Sequence, residues 1–240
     1  MKREAVILAG GLGTRLRDVI ADLPKSLAPV SGLPFLTYIL EQLSKVSFSK
    51  AVLAVGYKHE AIISYYGKSY KNISLEYSIE DEPLGTGGAL LKASSLISSE
   101  YLFVFNGDTI FYIDIDDFEK IFRRVKCDMA VALKPMKDFD RYGSVTLAGE
   151  RIISFNEKRY CSEGLINGGI YIVNSGWLRK NSPGPRFSFE KDIMEKRVGN
   201  DIVNSYISDS YFIDIGVPED YEKAGKELFL NHGVARGFTE

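Results

Sequence analysis

With 240 residues, 45% hydrophobic and 26% charged, the chain has the composition of one generous globular domain, which excludes the disordered and collagen-like classes. A formal net charge of −2 excludes a broad basic surface for nucleic-acid backbones, so any anion site must be local. Cys127 and Cys161 stand far apart without metal spacing, which suits inert packing in a reducing cytoplasm, and no apolar run has the form of a signal peptide or the length of a membrane helix.

Short apolar runs ending in turn residues, "AVILAG" (5–10), "KAVLAVGY" (50–57), "LEYSIE" (75–80), "YLFVFNGD" (101–108) and "CDMAVALKP" (127–135), predict strands buried on both faces. Between them, 34–46, 58–67, 85–97 and 114–125 carry apolar residues at helical spacing. The alternation predicts an α/β fold: a mostly parallel, Rossmann-like twisted sheet flanked by helices. From about residue 140 the pattern turns to hairpin-like strands at 142–147, 151–158 and 166–173. A helix over 189–198, a pair of strands around "IVNSYIS" and "YFIDIG", and a last helix from Pro218 follow. No linker and no internal repeat divides the chain, so one domain is expected, its later third a small β-rich lid or pocket wall.

The first strand runs into "LAGGLGTRL", whose Gly10, Gly11 and Gly13 occupy the place where an open sheet lets backbone amides approach phosphate. The spacing fits neither the dinucleotide fingerprint nor the Walker pattern. Arg15 and Lys25 add two cations beside the turn, a set able to hold a triphosphate and neutralise a leaving pyrophosphate. Asp108 closes "FNGD" and Asp214 sits inside "YFIDIG"; an aspartate among apolar residues needs a partner or a metal. Glu80 ends a strand and could accept from the adjacent N1–H and 2-amino donors of guanine, although "EDE" at 80–82 also reads as a solvated acidic turn.

These stretches, with "EPLGTGGAL" (82–90), "NEK" (156–158), "NGGIYI" (167–172) and "DIGVPEDY" (214–221), resemble the ordered motif set of the sugar-1-phosphate nucleotidylyltransferases over nearly the whole chain. Within that family they are most similar to the enzymes that join GTP and D-glycero-D-manno-heptose 1-phosphate. The resemblance implies transfer of a nucleotidyl group to a sugar 1-phosphate, Mg²⁺ as cofactor, and GDP-heptose and pyrophosphate as products for surface polysaccharide synthesis. It implies catalytic roles for Arg15 and Lys25, and metal ligation by Asp108 and Asp214. Nucleotide binding falls to Leu8, Ala9, Gly10, Gly11, Gly13, Thr14, Glu80, Pro83, Gly85, Thr86, Gly87 and Asp108. Tyr142, Gly143, Glu157, Lys158, Asn167 and Gly168 match positions that line the sugar-phosphate pocket. A nucleotide-binding part at about 1–135 and a sugar-binding part at about 136–210 follow from the same likeness. The glycines at 85, 87 and 88 also read as a helix start packed closely on the sheet.

Two departures stand out: "RDVIADL" before Pro24, where many members have a shorter segment, and Ser26 where many have proline. The sequence ends at 240, where some relatives carry a repeat-built acyltransferase extension, so only the transferase step is expected. The sugar and base could differ, with mannose 1-phosphate and GTP, or a glucose-type sugar with UTP, dTTP or CTP, as alternatives. Rivals of other classes are a glycosyltransferase using the DxD at Asp114 and Asp116, and a sensor that binds nucleotide sugars without turnover. The DxD opens a predicted helix, where Asp114 suits capping. His59 and His232 are isolated from other metal-ligand types. GTP and a sugar 1-phosphate are the expected partners, in the cytoplasm, with neither nucleic acid nor membrane; the oligomeric state is open, a homodimer among the options.

Overall fold

The computed structural model describes residues 3–11, 23–198 and 202–231. Gly13, Thr14, Arg15 and His232 lie outside the described residues. β1 (Arg3–Leu8) is followed by a 3₁₀ turn at Lys25–Leu27 and a hairpin of β2 (Pro29–Val30) and β3 (Leu33–Pro34). Next come α1 (Phe35–Ser44), β4 (Phe48–Val55), α2 (His59–Tyr66), β5 (Ser69–Tyr70), β6 (Ile73–Ile79), α3 (Gly85–Ser94), β7 (Tyr101–Asn106), β8 (Thr109–Phe111) and α4 (Ile115–Val125). The later part holds β9 (Met129–Phe139), β10 (Gly143–Ala148), β11 (Arg151–Lys158), β12 (Cys161–Asn174) and α5 (Ser175–Asn181). A π-helical segment at Phe189–Met194, α6 (Glu195–Arg197), β13 (Val203–Ile207), β14 (Phe212–Asp214) and α7 (Pro218–Asn231) follow.

Ten strands form one sheet in the order β10-β11-β13-β9-β12-β7-β1-β4-β6-β5. The expected α/β sheet flanked by helices is present. Its parallel part is β7-β1-β4-β6 together with the β9–β13 pair, while β12 joins β7 and β9 antiparallel. β12 runs back between β7 and β9 and pairs antiparallel with both, which makes the sheet mixed. β10 also pairs with β12, Ser144 opposite Ile166 and Val145 opposite Leu165, so that β12, β9, β13, β11 and β10 form a closed circuit of pairings. The later third is thus β-rich and continuous with the sheet. The strands around "IVNSYIS" and "YFIDIG" do not pair with each other: β13 joins β9 and β11, and β14 joins β8 in a two-stranded sheet.

Alternate residues of the central strands enter different cores, as strand geometry requires. Ala5, Ile7, Ala51 and Leu53 pack with Phe35, Ile39, Ile62 and Phe118 of α1, α2 and α4. Val6, Val52, Ala54 and Val104 face the other way, against Leu90 of α3, Trp177 of α5 and Phe189 and Ile193 of the π-helical segment. Cys127 is buried and Cys161 half-buried, both free thiols. Among the described residues, no helix is long and apolar enough to cross a membrane.

Candidate active site

The ends of β1, β4 and β6 meet at the glycine turn. The Ala9 N–H donates to Ala54 O at 2.9 Å, and the Glu80 N–H to Val55 O at 2.8 Å. Glu80 Oε1 lies against Gly10, whereas Oε2 accepts from the Leu84 N–H at 3.0 Å and closes the 80–84 turn. Leu8, Ala9 and Gly10 sit at the carboxyl end of the central strand β1, with Gly11 exposed beyond them.

The "FNGD" turn is pressed onto the same place. The Gly107 N–H donates to Leu8 O at 3.0 Å, and a Cβ at Gly107 would stand 2.5 Å from that oxygen, so only glycine fits. Asp108 is thereby held beside the glycine turn, two residues past the end of β7. Lys25, presented by the 3₁₀ turn, places Nζ 2.7 Å from Asp108 Oδ2. Asp214 arrives from the other side: it is opposite Thr109 in the β8–β14 pair, and the Ile215 N–H donates to Asp108 O at 2.9 Å. Burial and then the Asp108 charge push the Asp214 carboxyl up to about 6, against the opposing pull of Lys25 and of the Gly216 N–H, which donates to Oδ1 at 2.6 Å.

Two neighbouring carboxylates, one of them largely buried, suit a hard dication. Among the described residues no group of three or more His, Cys, Asp or Glu side chains is arranged to hold a metal. Asp108 and Asp214 therefore fit Mg²⁺ only as a pair whose remaining ligands come from phosphate oxygens and water, the usual way Mg²⁺ is held.

Next to Asp214 opens a cleft of about 540 Å³. Five predicted sugar-side residues, Tyr142, Gly143, Glu157, Lys158 and Asn167, line it. Gly168 does not: it is buried beneath, where a Cβ would meet the Phe111 ring at 2.5 Å, so its small size serves packing. Asn167 donates from Nδ2 to the hydroxyl of fully buried Tyr171 at 2.8 Å and accepts from the Gly169 N–H, which fixes its amide at the cleft wall. The Tyr142 ring stands edge-on to Phe212 with the Arg141 guanidinium over it, and Arg141 is paired to Asp220.

The wall opposite was not foreseen. Glu190, Lys191, Met194 and Glu195 enter the cleft from the π-helical segment and the residue after it. In the sequence, "FEKDIMEKRV" reads only as a helix; the adjacent acid and base carry no mark of a pocket.

The predicted nucleoside turn has a second engagement. Pro83, Gly85 and Thr86 are exposed, but Gly87 is buried, and its N–H donates to Phe187 O at 3.0 Å. A Cβ at Gly87 would lie 2.2 Å from the Phe187 ring. The close packing of this helix start is real, and its partner is the 185–189 segment rather than the sheet. The Thr86 hydroxyl donates to Glu190 Oε2 at 2.6 Å. The DxD is spoken for: Asp114 caps α4 by accepting from the Asp117 N–H at 2.9 Å, and Asp116 pairs with Arg3. His59, at the start of α2, sits 3.1 Å from Gly56 O.

A family profile described as Nucleotidyl transferase matches residues 4–229. The chain is 50% identical over 228 residues to D-glycero-alpha-D-manno-heptose 1-phosphate guanylyltransferase of Aneurinibacillus thermoaerophilus, spanning 94% of this chain and 98% of that one. Identity to the Campylobacter jejuni protein of the same name is 43% over 221 residues, spanning 91% and 96%. The fold matches the crystal structure of HddC from Yersinia pseudotuberculosis complexed with GMP-PN with a TM-score of 0.84, at 36% identity, covering 94% of this chain and 99% of that one.

Proposed function

The chain belongs to the nucleotidyl transferase family, and from that premise we propose that it transfers a guanylyl group from GTP to D-glycero-D-manno-heptose 1-phosphate. The observation that carries this reading is the meeting of Lys25, Asp108 and Asp214 between the glycine turn and the cleft. It puts a cation and a metal-type carboxylate pair where a triphosphate on one side would face a sugar phosphate on the other.

In the reaction an oxygen of the sugar phosphate attacks the α-phosphorus of GTP in line. One P–O bond forms, the α–β bridging P–O bond breaks, and GDP-heptose and pyrophosphate result. No covalent intermediate is needed. The phosphate monoester is already ionised near neutrality, so no general base is required. Rate comes from positioning and charge neutralisation. Lys25 bridges the reacting phosphates, and Arg15 with the amides of the glycine turn holds the departing pyrophosphate. Asp108 and Asp214 would hold Mg²⁺, which supplies further neutralisation of the triphosphate. Lys158 takes the sugar phosphate and Glu157 a pair of sugar hydroxyls. Glu80, already turned to Gly10, is the acid for the guanine edge. The nucleotide falls to residues 1–135 and the sugar to about 136–210, with the product destined for surface polysaccharide made from cytoplasmic precursors.

The test is a pyrophosphate-release screen of GTP, ATP, UTP, CTP and dTTP against heptose, mannose and glucose 1-phosphates. GTP with heptose 1-phosphate is expected to give the highest kcat/KM. A preference for UTP or dTTP with glucose 1-phosphate would overturn the substrate assignment.

A further inference from the structure

We propose that Glu190 is a specificity-determining ligand of the sugar hydroxyls, aimed by Thr86, so that one hydrogen bond joins the head of α3 to the sugar cleft. The inference rests on the guanylyl-transfer reading and extends it to a residue outside the motifs that identified the chain.

The geometry separates Glu190 from ordinary helix capping. The start of the π-helical segment is capped without it: Ser188 Oγ accepts from the Lys191 N–H at 3.1 Å, and Asp192 Oδ2 accepts from the Ser188 N–H at 2.9 Å. Among the described residues, Glu190 accepts no N–H of its own segment, and its shortest hydrogen bond is to Thr86, 104 residues earlier. The Thr86 hydroxyl is itself oriented, because Oγ1 accepts from the Phe189 N–H at 2.9 Å and so directs its proton to Glu190. The second donor, the Ser188 hydroxyl at 3.1 Å, uses the same oxygen, Oε2. Among the described residues no hydrogen bond reaches Oε1, in a half-buried side chain that lines the cleft. A carboxylate oxygen fixed through its twin and open to a ligand is a strong acceptor for hydroxyl donors, and a sugar offers several. Single-turn π segments gather at functional sites, and this one brings Glu190, Lys191, Met194 and Glu195 to one wall.

Thr86 also stands next to Gly87, whose amide is tied to Phe187 O. The turn expected to border the nucleoside and the carboxylate expected to read the sugar are therefore parts of one hydrogen-bonded unit. A sugar whose hydroxyls miss Oε1 gains nothing from this preset position, which is what makes Glu190 selective rather than merely adhesive.

The experiment uses the full chain and the variants Glu190→Gln, Thr86→Val and Thr86→Ser, with heptose 1-phosphate and GTP. Steady-state kinetics are paired with calorimetric binding of heptose 1-phosphate. Glu190→Gln is expected to raise the KM for heptose 1-phosphate about tenfold and leave that for GTP within about twofold, in line with the loss of one charged hydrogen bond. Thr86→Val should raise the same KM several-fold, Thr86→Ser should restore it, and the Glu190→Gln, Thr86→Val pair should be less than additive. A rise in the KM for GTP alone, or equal losses of kcat and thermal stability with the sugar KM unchanged, would overturn the proposal. If no substrate pair releases pyrophosphate, the guanylyl-transfer reading fails. The calorimetric affinity then decides Glu190 separately: a tenfold weakening in Glu190→Gln upholds its role, and an unchanged affinity removes it.

Discussion

Asp214 is carried largely buried beside a second carboxylate, and its titration sets a measurable pH dependence. Its folded pKa of about 6 stands above the ordinary 3.8, so the fold prefers the protonated acid. The contribution to stability is fully present below about pH 4 and is lost as pH rises through about 6. Asp214→Asn is expected to make the ligand-free chain more stable above pH 7 by about 1–3 kcal/mol, the advantage fading below pH 4. Urea unfolding at pH 4 and pH 8 checks this, and parallel pH profiles for the two proteins would count against it. The same variant should lose Mg²⁺-dependent turnover. Lys25→Ala should lower kcat by about 10²-fold or more, the scale of losing one charge-stabilising donor, with a smaller effect on the sugar KM. Asp108, Asp214 and Lys25 were legible because each is out of place in the sequence: one acid closing an apolar strand run, one inside another, and a lysine following the glycine-rich stretch. Glu190 and Lys191 were not, since charge on a predicted helix is what solvent-facing residues look like.

The elements show the same divide between local and distant causes. β1, β4, β6 and β7 begin and end within a few residues of the apolar runs that predicted them, and so do α1 to α4. The 189–198 helix is half right: the chain does coil there, but as a π-helical turn passing into a single α turn. Hydrophobic spacing cannot tell the two apart over six residues. Nor could spacing reveal why "GTGG" is small, since the reason lies a hundred residues away in Phe187. Gly87→Ala is expected to cost about 1–3 kcal/mol through overpacking against that ring. Chemical denaturation should show the loss, and Phe187→Leu in the same chain should return part of it. If Gly87→Ala leaves the midpoint unchanged, the ring is not the constraint.

At the scale of the molecule, strand alternating with helix correctly announced an α/β sheet, but strand order is a long-range property and was out of reach. The insertion of β12 between β7 and β9 unites both halves in one sheet, with the two cores on its opposite faces. One cooperative unfolding transition is therefore expected, with no separate melting of the 136–210 part. Non-hydrolysable GTP with Mg²⁺ at a hundred times Kd should stabilise the whole transition by about 2.7 kcal/mol. Two resolved calorimetric transitions would contradict this. The β10–β12 pairing has a further effect. A main sheet of ten strands ordinarily leaves two open edges, each a template on which another chain can add a strand. Here the β10–β12 pairing covers Ser144 and Val145 of one of them, and the other is β5, which is two residues long, pairs with Ile73 and Ser74 of β6 and is followed by Lys71. Among the described residues, 76–79 of β6 have no strand on that side, so strand addition finds only a short ribbon there, and its first residue, Glu76, carries a charge.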